Sequence, residues 1–506
     1  MGRLTLLPGA ASLPPAAGSV AGLNFRQVNG RILVTNDVGH YADLAPADFD
    51  RLLGGRIAEG DPLWAELSQK GFLKDRLDFP KLAQTYLKKN AFYWWAPALQ
   101  IVVTTLRCNH KCMYCHASVV GEDRFDLDMT LETAKQTVDF IFSSPNPSLV
   151  IEFQGGEPLM NWPAIEFITK YARERNKQEH RNLFVALVSN FSLMDDKKFK
   201  FLVDNQVSVC TSLDGPEALH NKNRIYRKGN SFAEEVKWLK RFQEAAEVSD
   251  AGTARHYKPG ALLTTTRFSF NYPKEIVDTY IDLGLNVLCI RPMSPIGFAR
   301  RVWDKIGYTG PQFQEFYKQT MEHVFAANER GVRLSERGAV LLLTKILKLE
   351  DPGYVDLRSP SGGGLGVLGY NYNGDVYTGD EGRMLSQEGN ELFKLGHVAV
   401  SKYNDCIEHA TNRACAISTT LEAQPLCSQC AYKPYCGACP VFNIETQDSL
   451  WGRMPSNGRC ETYMGLFDYI FEQLRNPERR RIMESWLTPD PQELEGDGPG
   501  GTPLIP

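Results

Sequence analysis

Three cysteines stand close together in TTLRCNHKCMYCHAS, at Cys108, Cys112 and Cys115, with the spacing C-x3-C-x2-C. Thiolates are the normal ligands of iron–sulfur clusters. Three of them on one short loop can hold three irons of a 4Fe–4S cube and leave the fourth iron open to a cofactor. The spacing alone leaves zinc open as well: a structural zinc site asks for four protein ligands or for histidine, and His110 and His116 are adjacent. A second group lies near the C-terminal end, CSQCAYKPYCGACPVFN followed by Cys460, where Cys427, Cys430, Cys436 and Cys460 can close a metal site with four thiolates. A zinc knuckle made of the same four is the competing reading.

The chain has 12 cysteines in 506 residues; Cys210, Cys289, Cys406 and Cys415 stand apart from both groups. Clustered cysteines point to metal ligation in a reducing compartment before they point to disulfides, so a cytoplasmic protein is expected. Cys210 and Cys289 lie in apolar runs and read as small core residues. A net charge of -4 gives no basic field for nucleic acid or anionic membrane. No apolar run reaches the ~20 residues of a membrane span.

The elements that would position the cysteines alternate. Strands are expected over 99–105, 149–153, 184–189, 207–212, 261–266 and 287–291. Helices are expected between them, near 130–143, 162–178, 195–204, 232–247 and 273–283. Short apolar runs bounded by turns suit strands buried on both faces. The fold class is therefore α/β, a partial (β/α)6 TIM-like barrel over 95–310. Polar or glycine-rich signals follow the strands: the cysteine loop, QGGEP at 154–158, SN at 189–190, SLDG at 212–215 and RPM at 291–293. In barrels the chemistry collects at such C-terminal strand ends.

Flanking regions read as a leader over 1–22 and a tail over 486–506, both expected to be disordered. A small N-terminal α+β domain is expected over 23–85, with a hairpin at Asn29-Gly30 and short helices over 45–53 and 62–70. A helical linker spans 311–350, and a Cys-rich region over 351–480 carries a second hairpin at Asn373-Gly374 and a helix over 461–475.

The conjunction of C-x3-C-x2-C, QGGEP and SLDG at successive strand ends resembles the radical SAM superfamily. The resemblance implies that Cys108, Cys112 and Cys115 hold a 4Fe–4S cluster that binds S-adenosylmethionine, which is cleaved reductively to a 5′-deoxyadenosyl radical. It implies that Tyr114 packs by the adenine and that Gly155, Gly156 and Glu157 receive the methionine amino group. Ser212 and Arg224 would meet the ribose and carboxylate side, with Asn190 as a further contact. Arg224 among Lys222, Arg227 and Lys228 reads equally as a solvated basic face.

The C-terminal cysteines resemble the SPASM extension of peptide-modifying radical SAM enzymes. That likeness implies one auxiliary 4Fe–4S cluster on Cys427, Cys430, Cys436 and Cys460. The inner auxiliary cluster of such extensions is expected to be lost, because Ser361 and Gly379 stand where two of its cysteines belong and Cys439 is left without partners. Asp380, after Gly379, matches a base toward the substrate radical in sulfatase-maturing relatives; a surface hairpin carboxylate is the plainer reading.

The N-terminal FRQVNGRILVTNDVGHYADL, with GYNYNGDVYTGDEGRM and CAYKPYCGACP, resembles the B-component radical SAM maturase of His-Xaa-Ser systems. This implies a His-Xaa-Ser repeat protein as substrate, a second radical SAM protein as neighbour, and an electron donor such as flavodoxin or ferredoxin. Formylglycine formation on a sulfatase and a non-catalytic Fe–S or zinc scaffold for a peptide are the alternative functions. The 23–75 block suits peptide docking by strand addition.

Overall fold

The computed structural model describes residues 20–247 and 258–488. The expected leader and tail lie largely outside these residues. β1 (Asn24–Val28), β2 (Arg31–Thr35) and β3 (Tyr41–Leu44) form an antiparallel sheet in sequence order. Asn29 and Gly30 both take positive φ, the backbone that lets a two-residue hairpin follow the twist of its strands. The helix Pro46–Leu53 lays Phe49 and Leu52 on this sheet, against Val34, Ala42 and Leu44. A further helix, Phe79–Lys89, is capped by the Asp78 carboxylate and crosses residue 85, where the N-terminal domain was expected to end.

The main sheet is built from β4 (Leu99–Val103), β5 (Ser148–Gln154), β6 (Asn182–Val188), β7 (Ser208–Ser212), β8 (Gly260–Thr264) and β9 (Ile290–Arg291), all parallel. Each strand was expected from its apolar run; five of β5's seven residues are buried, as a strand covered on both faces requires. Helices Leu131–Phe142, Trp162–Glu179, Asp196–Asp204, Ser231–Glu247 and Pro273–Asp282 alternate with the strands. This is the expected α/β radical-barrel architecture, open at β9.

The sheet does not stop at β4. β10 (Val367–Tyr370) pairs parallel to it, Val367 opposite Leu99, and β11 (Asp375–Tyr377) and β12 (Lys394–His397) continue antiparallel, giving nine strands in the order β9-β8-β7-β6-β5-β4-β10-β11-β12. The Asn373-Gly374 hairpin is thus an extension of the barrel wall; its turn lies level with the C-terminal end of β4, and β11 runs back so that the residues after Tyr377 head for the N-terminal edge of the sheet. Helix Gly310–Glu329, closed by a Thr309/Gln312 capping box, packs on helix Gly458–Gln473 and ties the C-terminal region to the barrel. Among the described residues no helix is long and apolar enough to cross a membrane.

Candidate active site

The cysteine loop begins where β4 ends, and its root is pinned before any metal arrives. The Arg107 guanidinium donates to Asp128 (2.8 and 2.5 Å), to the Glu122 carbonyl (2.9 Å) and to the Met160 carbonyl (2.8 Å). QGGEP, at the end of β5, locks onto the same root: Gly156 N donates to Thr105 O (3.0 Å) and Glu157 N to Arg107 O (2.7 Å). A Cβ on Gly156 would lie 2.0 Å from the Arg107 carbonyl oxygen, and one on Gly155, whose φ is +128°, would lie 2.6 Å from that of Thr105. The two glycines are therefore demanded by the chain's own backbone crossing, in addition to any approach of a ligand.

Glu157 is buried, and its carboxylate accepts from Ser189 Oγ (2.7 Å), Asn190 N (2.8 Å) and Leu159 N (3.1 Å). Burial raises its pKa, and these hydrogen bonds oppose the rise. Asn190 reaches back to the loop, donating through Nδ2 to Asn109 Oδ1 (3.0 Å), next to Cys108. Ser189, Asn190 and Glu157 thus join the ends of β5 and β6 to the cysteine loop.

The far side of the loop is held by a short ladder. His110–Cys112 runs antiparallel to Arg224–Tyr226, with Cys112 opposite Arg224 and the His110 ring stacked on Tyr226 at 4.5 Å. Both His110 nitrogens are engaged, Nδ1 by Asn109 and Asn190 and Nε2 by Ser231, so this ring is taken as a structural group and not free as a ligand. Burial lowers its pKa to about 3, so the ring is neutral. Arg224 is 6% exposed, which corrects the reading of a solvated basic face. It donates to Glu235 Oε1 (3.1 Å) and to the Tyr114 hydroxyl (3.0 Å), which in turn donates to Asp214 Oδ1 (3.1 Å). The Tyr114 ring packs with Met293, Ala299 and Ile306, and Ser212 ends β7 two residues before Asp214.

Asp214 and Glu235 were not singled out from the sequence. Asp214 was visible inside SLDG, one strand end along from QGGEP; Glu235, on a helix with an ordinary polar face, gave no signal. His220 belongs to the same buried network, sharing Ser231 with His110 (3.0 Å).

Cys108, Cys112 and Cys115 carry free thiols. Burial pushes all three pKa values up, Cys112 to about 12, while the Arg224 charge pulls Cys112 and Cys115 back. Neighbouring thiols raise one another, and Glu157 raises Cys108, which places all four groups together. Among the described residues no three His, Cys, Asp or Glu side chains close on a single-ion position. Three sulfur donors on one loop, with no fourth thiol beside them and His110 spoken for, fit a cluster that keeps one vertex free of protein.

The second cysteine group is also assembled. Cys427, Cys430, Cys436 and Cys460 line one cavity of about 520 Å³ under Tyr432, Tyr463 and Phe467. Burial, with the other three thiols adding to it, raises the Cys460 pKa to about 12. Cys439 lines the same cavity, buried with its Sγ 3.3 Å from Glu381 Oε2, and its charged surroundings are Glu381, Arg459 and Asp356. Cys406 and Cys415 are buried in separate apolar clusters. Ser361 is buried too, its amide donating to Thr419 Oγ1 (2.9 Å).

Asp380 is 9% exposed at the start of helix Asp380–Ser386, accepting from Arg383 Nε (2.7 Å), so it is not a surface hairpin carboxylate. It lies beside Glu152 on β5, whose pKa is raised to about 7 by burial, with Asp380 adding to the rise. Arg291, at the end of β9, opposes that rise.

Residues 102–253 match the family described as the Radical SAM superfamily. With the six-stranded parallel barrel and the cysteine loop at its mouth, the chain carries a radical SAM domain over these residues. Within that class it is 24% identical over 386 residues to the cysteine-type anaerobic sulfatase-maturating enzyme of Clostridium perfringens (strain ATCC 13124), spanning 73% of this chain and 95% of that one. The fold superposes on the His-tagged anSMEcpe with bound AdoMet with a TM-score of 0.63 at 20% identity, covering 77% of this chain and 98% of that one. It superposes on Streptococcus suis SuiB bound to its precursor peptide SuiA with a TM-score of 0.53 at 14% identity, covering 87% and 100%.

Proposed function

We propose that this chain is a maturase that modifies a residue of a peptide or protein, with a His-Xaa-Ser repeat protein as its substrate. The observation that carries the reading is the loop of three free thiols, fixed on one side by Arg107, Gly156 and Glu157 and on the other by the Arg224–Tyr114–Asp214 network. Cys108, Cys112 and Cys115 hold a 4Fe–4S cluster there, and Cys427, Cys430, Cys436 and Cys460 hold one auxiliary cluster. When bound, the first cluster and S-adenosylmethionine supply a carbon-centred radical that removes a hydrogen atom from the substrate.

The protein's own residues orient and enclose. Gly155, Gly156 and Glu157 face the amino group of the cofactor, and Glu157 keeps a lone pair beyond its three hydrogen bonds to receive it. Tyr114 packs by the adenine, and Ser212, Asn190 and Arg224 meet the ribose and carboxylate side. Asp380, fixed by Arg383 beside Glu152, would be the base toward the substrate. β1 and β3 have no further strand partner among the described residues, which supports capture of a peptide on one of these edges. A flavodoxin or ferredoxin supplies electrons, and a second radical SAM protein acts in the same system.

The test is to incubate the reconstituted, reduced enzyme with a His-Xaa-Ser repeat protein and follow that protein's mass. A mass change that needs S-adenosylmethionine supports the reading; an unchanged repeat protein beside a modified sulfatase peptide overturns the substrate assignment. That second reading, formylglycine formation, is supported by the similarity over 95% of the sulfatase-maturating enzyme's length.

A further inference from the structure

Away from the barrel mouth, a cavity of about 430 Å³ lies between helix Phe79–Lys89, the turn Thr344–Lys348 and the cysteine loop at Cys436. Two lysines line it, Lys89 at 5% and Lys345 at 6% exposure. A buried ammonium is costly unless its charge and its three donors are met. Here each has one hydrogen bond, to a main-chain carbonyl: Lys89 Nζ to Val38 O (3.1 Å) and Lys345 Nζ to Leu357 O. Among the described residues neither forms an ion pair, while the wall's other cations do, Arg358 with Asp351 and Lys433 with Asp37.

The seat of Lys89 is built into the backbone. Gly39 takes a φ of +102°, and a Cβ there would lie 2.6 Å from Lys89 Nζ. The positive φ itself asks for glycine, and the missing side chain leaves the ammonium its place. The wall carries four cations against three carboxylates, of which Glu422 is the one outside an ion pair. The imbalance is one positive charge, which one carboxylate group offsets.

We infer that this cavity is a second ligand site, which holds a carboxylate group between Lys89 and Lys345. Cys436 lines the same cavity, so the occupant sits within electrostatic reach of the auxiliary cysteines. The carboxylate belongs either to a small dicarboxylic acid or to an acidic side chain of a peptide. The site does not depend on the radical chemistry proposed above, and its test does not use turnover.

The experiment follows the melting temperature of the full-length, anaerobically reconstituted protein in glutarate, in a glutamate-containing hexapeptide with blocked ends, and in chloride at equal ionic strength. Wild type is expected to show a saturable rise in one carboxylate series beyond that in chloride. A Lys89→Met/Lys345→Met variant is expected to lose the rise, with apparent affinity weaker by about tenfold or more; Lys345→Gln is the fallback if the double variant does not fold. A rise in glutarate assigns a small acid, and a rise with the hexapeptide alone assigns a peptide side chain. No saturable rise in either, or the same rise in wild type and variant, overturns the site. So does a variant that binds as wild type does but shifts the auxiliary cluster's reduction potential, since the lysines would then be that cluster's counter-charges.

Discussion

Arg224 and Cys112 face each other across a two-strand ladder, and the Arg224 guanidinium, 3.0 Å from the Tyr114 hydroxyl, is a positive charge that the buried carboxylates of Asp214 and Glu235 share with Cys112. Removing it strands those carboxylates. Arg224→Met is expected to cost about 3 kcal/mol or more of stability, the scale of breaking a buried ion pair. Arg224→Lys, which keeps the charge without the planar fork, should cost less. Anaerobic denaturant titration measures both; equal, small losses would mean that Arg224 is not the keystone of this network.

Gly156→Ala tests the backbone crossing. A methyl group 2.0 Å from the Arg107 carbonyl oxygen forces QGGEP away from the root of the cysteine loop. A loss of about 1–3 kcal/mol is expected from overpacking of this kind. Iron retained at the loop after reconstitution should fall with it. A variant that melts and loads iron as wild type does would contradict the packing argument.

Glu152 gives a pH signature. Its folded-state pKa is raised from 4.5 to about 7. Such a carboxyl contributes stability in its protonated form, fully present below the unfolded value and lost as pH rises through about 7. Glu152→Gln should therefore be more stable than wild type at pH 8, by up to about 3 kcal/mol, and show no gain at pH 4.5. Melting curves at the two pH values decide it; the same difference at both would show that Glu152 does not titrate in this way.

Cys439 predicts the cluster count. Its thiol is paired with Glu381 among charged side chains, and Ser361 is taken up by Thr419. Wild type and Cys439→Ala should both hold about eight irons per chain after anaerobic reconstitution, two cubes' worth. About twelve in wild type, falling in the variant, would restore the inner cluster.

The barrel was legible because its strands are short apolar runs and their turns carry the chemistry; QGGEP and SLDG mark strand ends directly. The cysteine loop was legible from spacing. What escaped were groups whose role comes from burial. Glu152 sits inside a run of apolar strand residues, and Glu235 on an amphipathic helix is indistinguishable in sequence from a solvated glutamate. Lys89 and Lys345 look like surface lysines, and only the packing of the N-terminal block on the cysteine region turns them inward. The sheet's extension through β10 was hidden too, since pairing between β4 and β10 joins residues far apart in the chain. Asp380 was read from its position after Gly379, but its burial against Arg383 follows from that extension.

The central claim is that Cys108, Cys112 and Cys115 hold a cluster with one vertex open to S-adenosylmethionine. It is tested by reducing the anaerobically reconstituted protein with dithionite in the presence of S-adenosylmethionine and measuring 5′-deoxyadenosine, beside a Cys108→Ala/Cys112→Ala/Cys115→Ala variant. Wild type is expected to yield 5′-deoxyadenosine and the variant none, while the variant should still retain about four irons at the C-terminal cysteines. Tightly held zinc at the loop, with no 5′-deoxyadenosine from wild type, would contradict it.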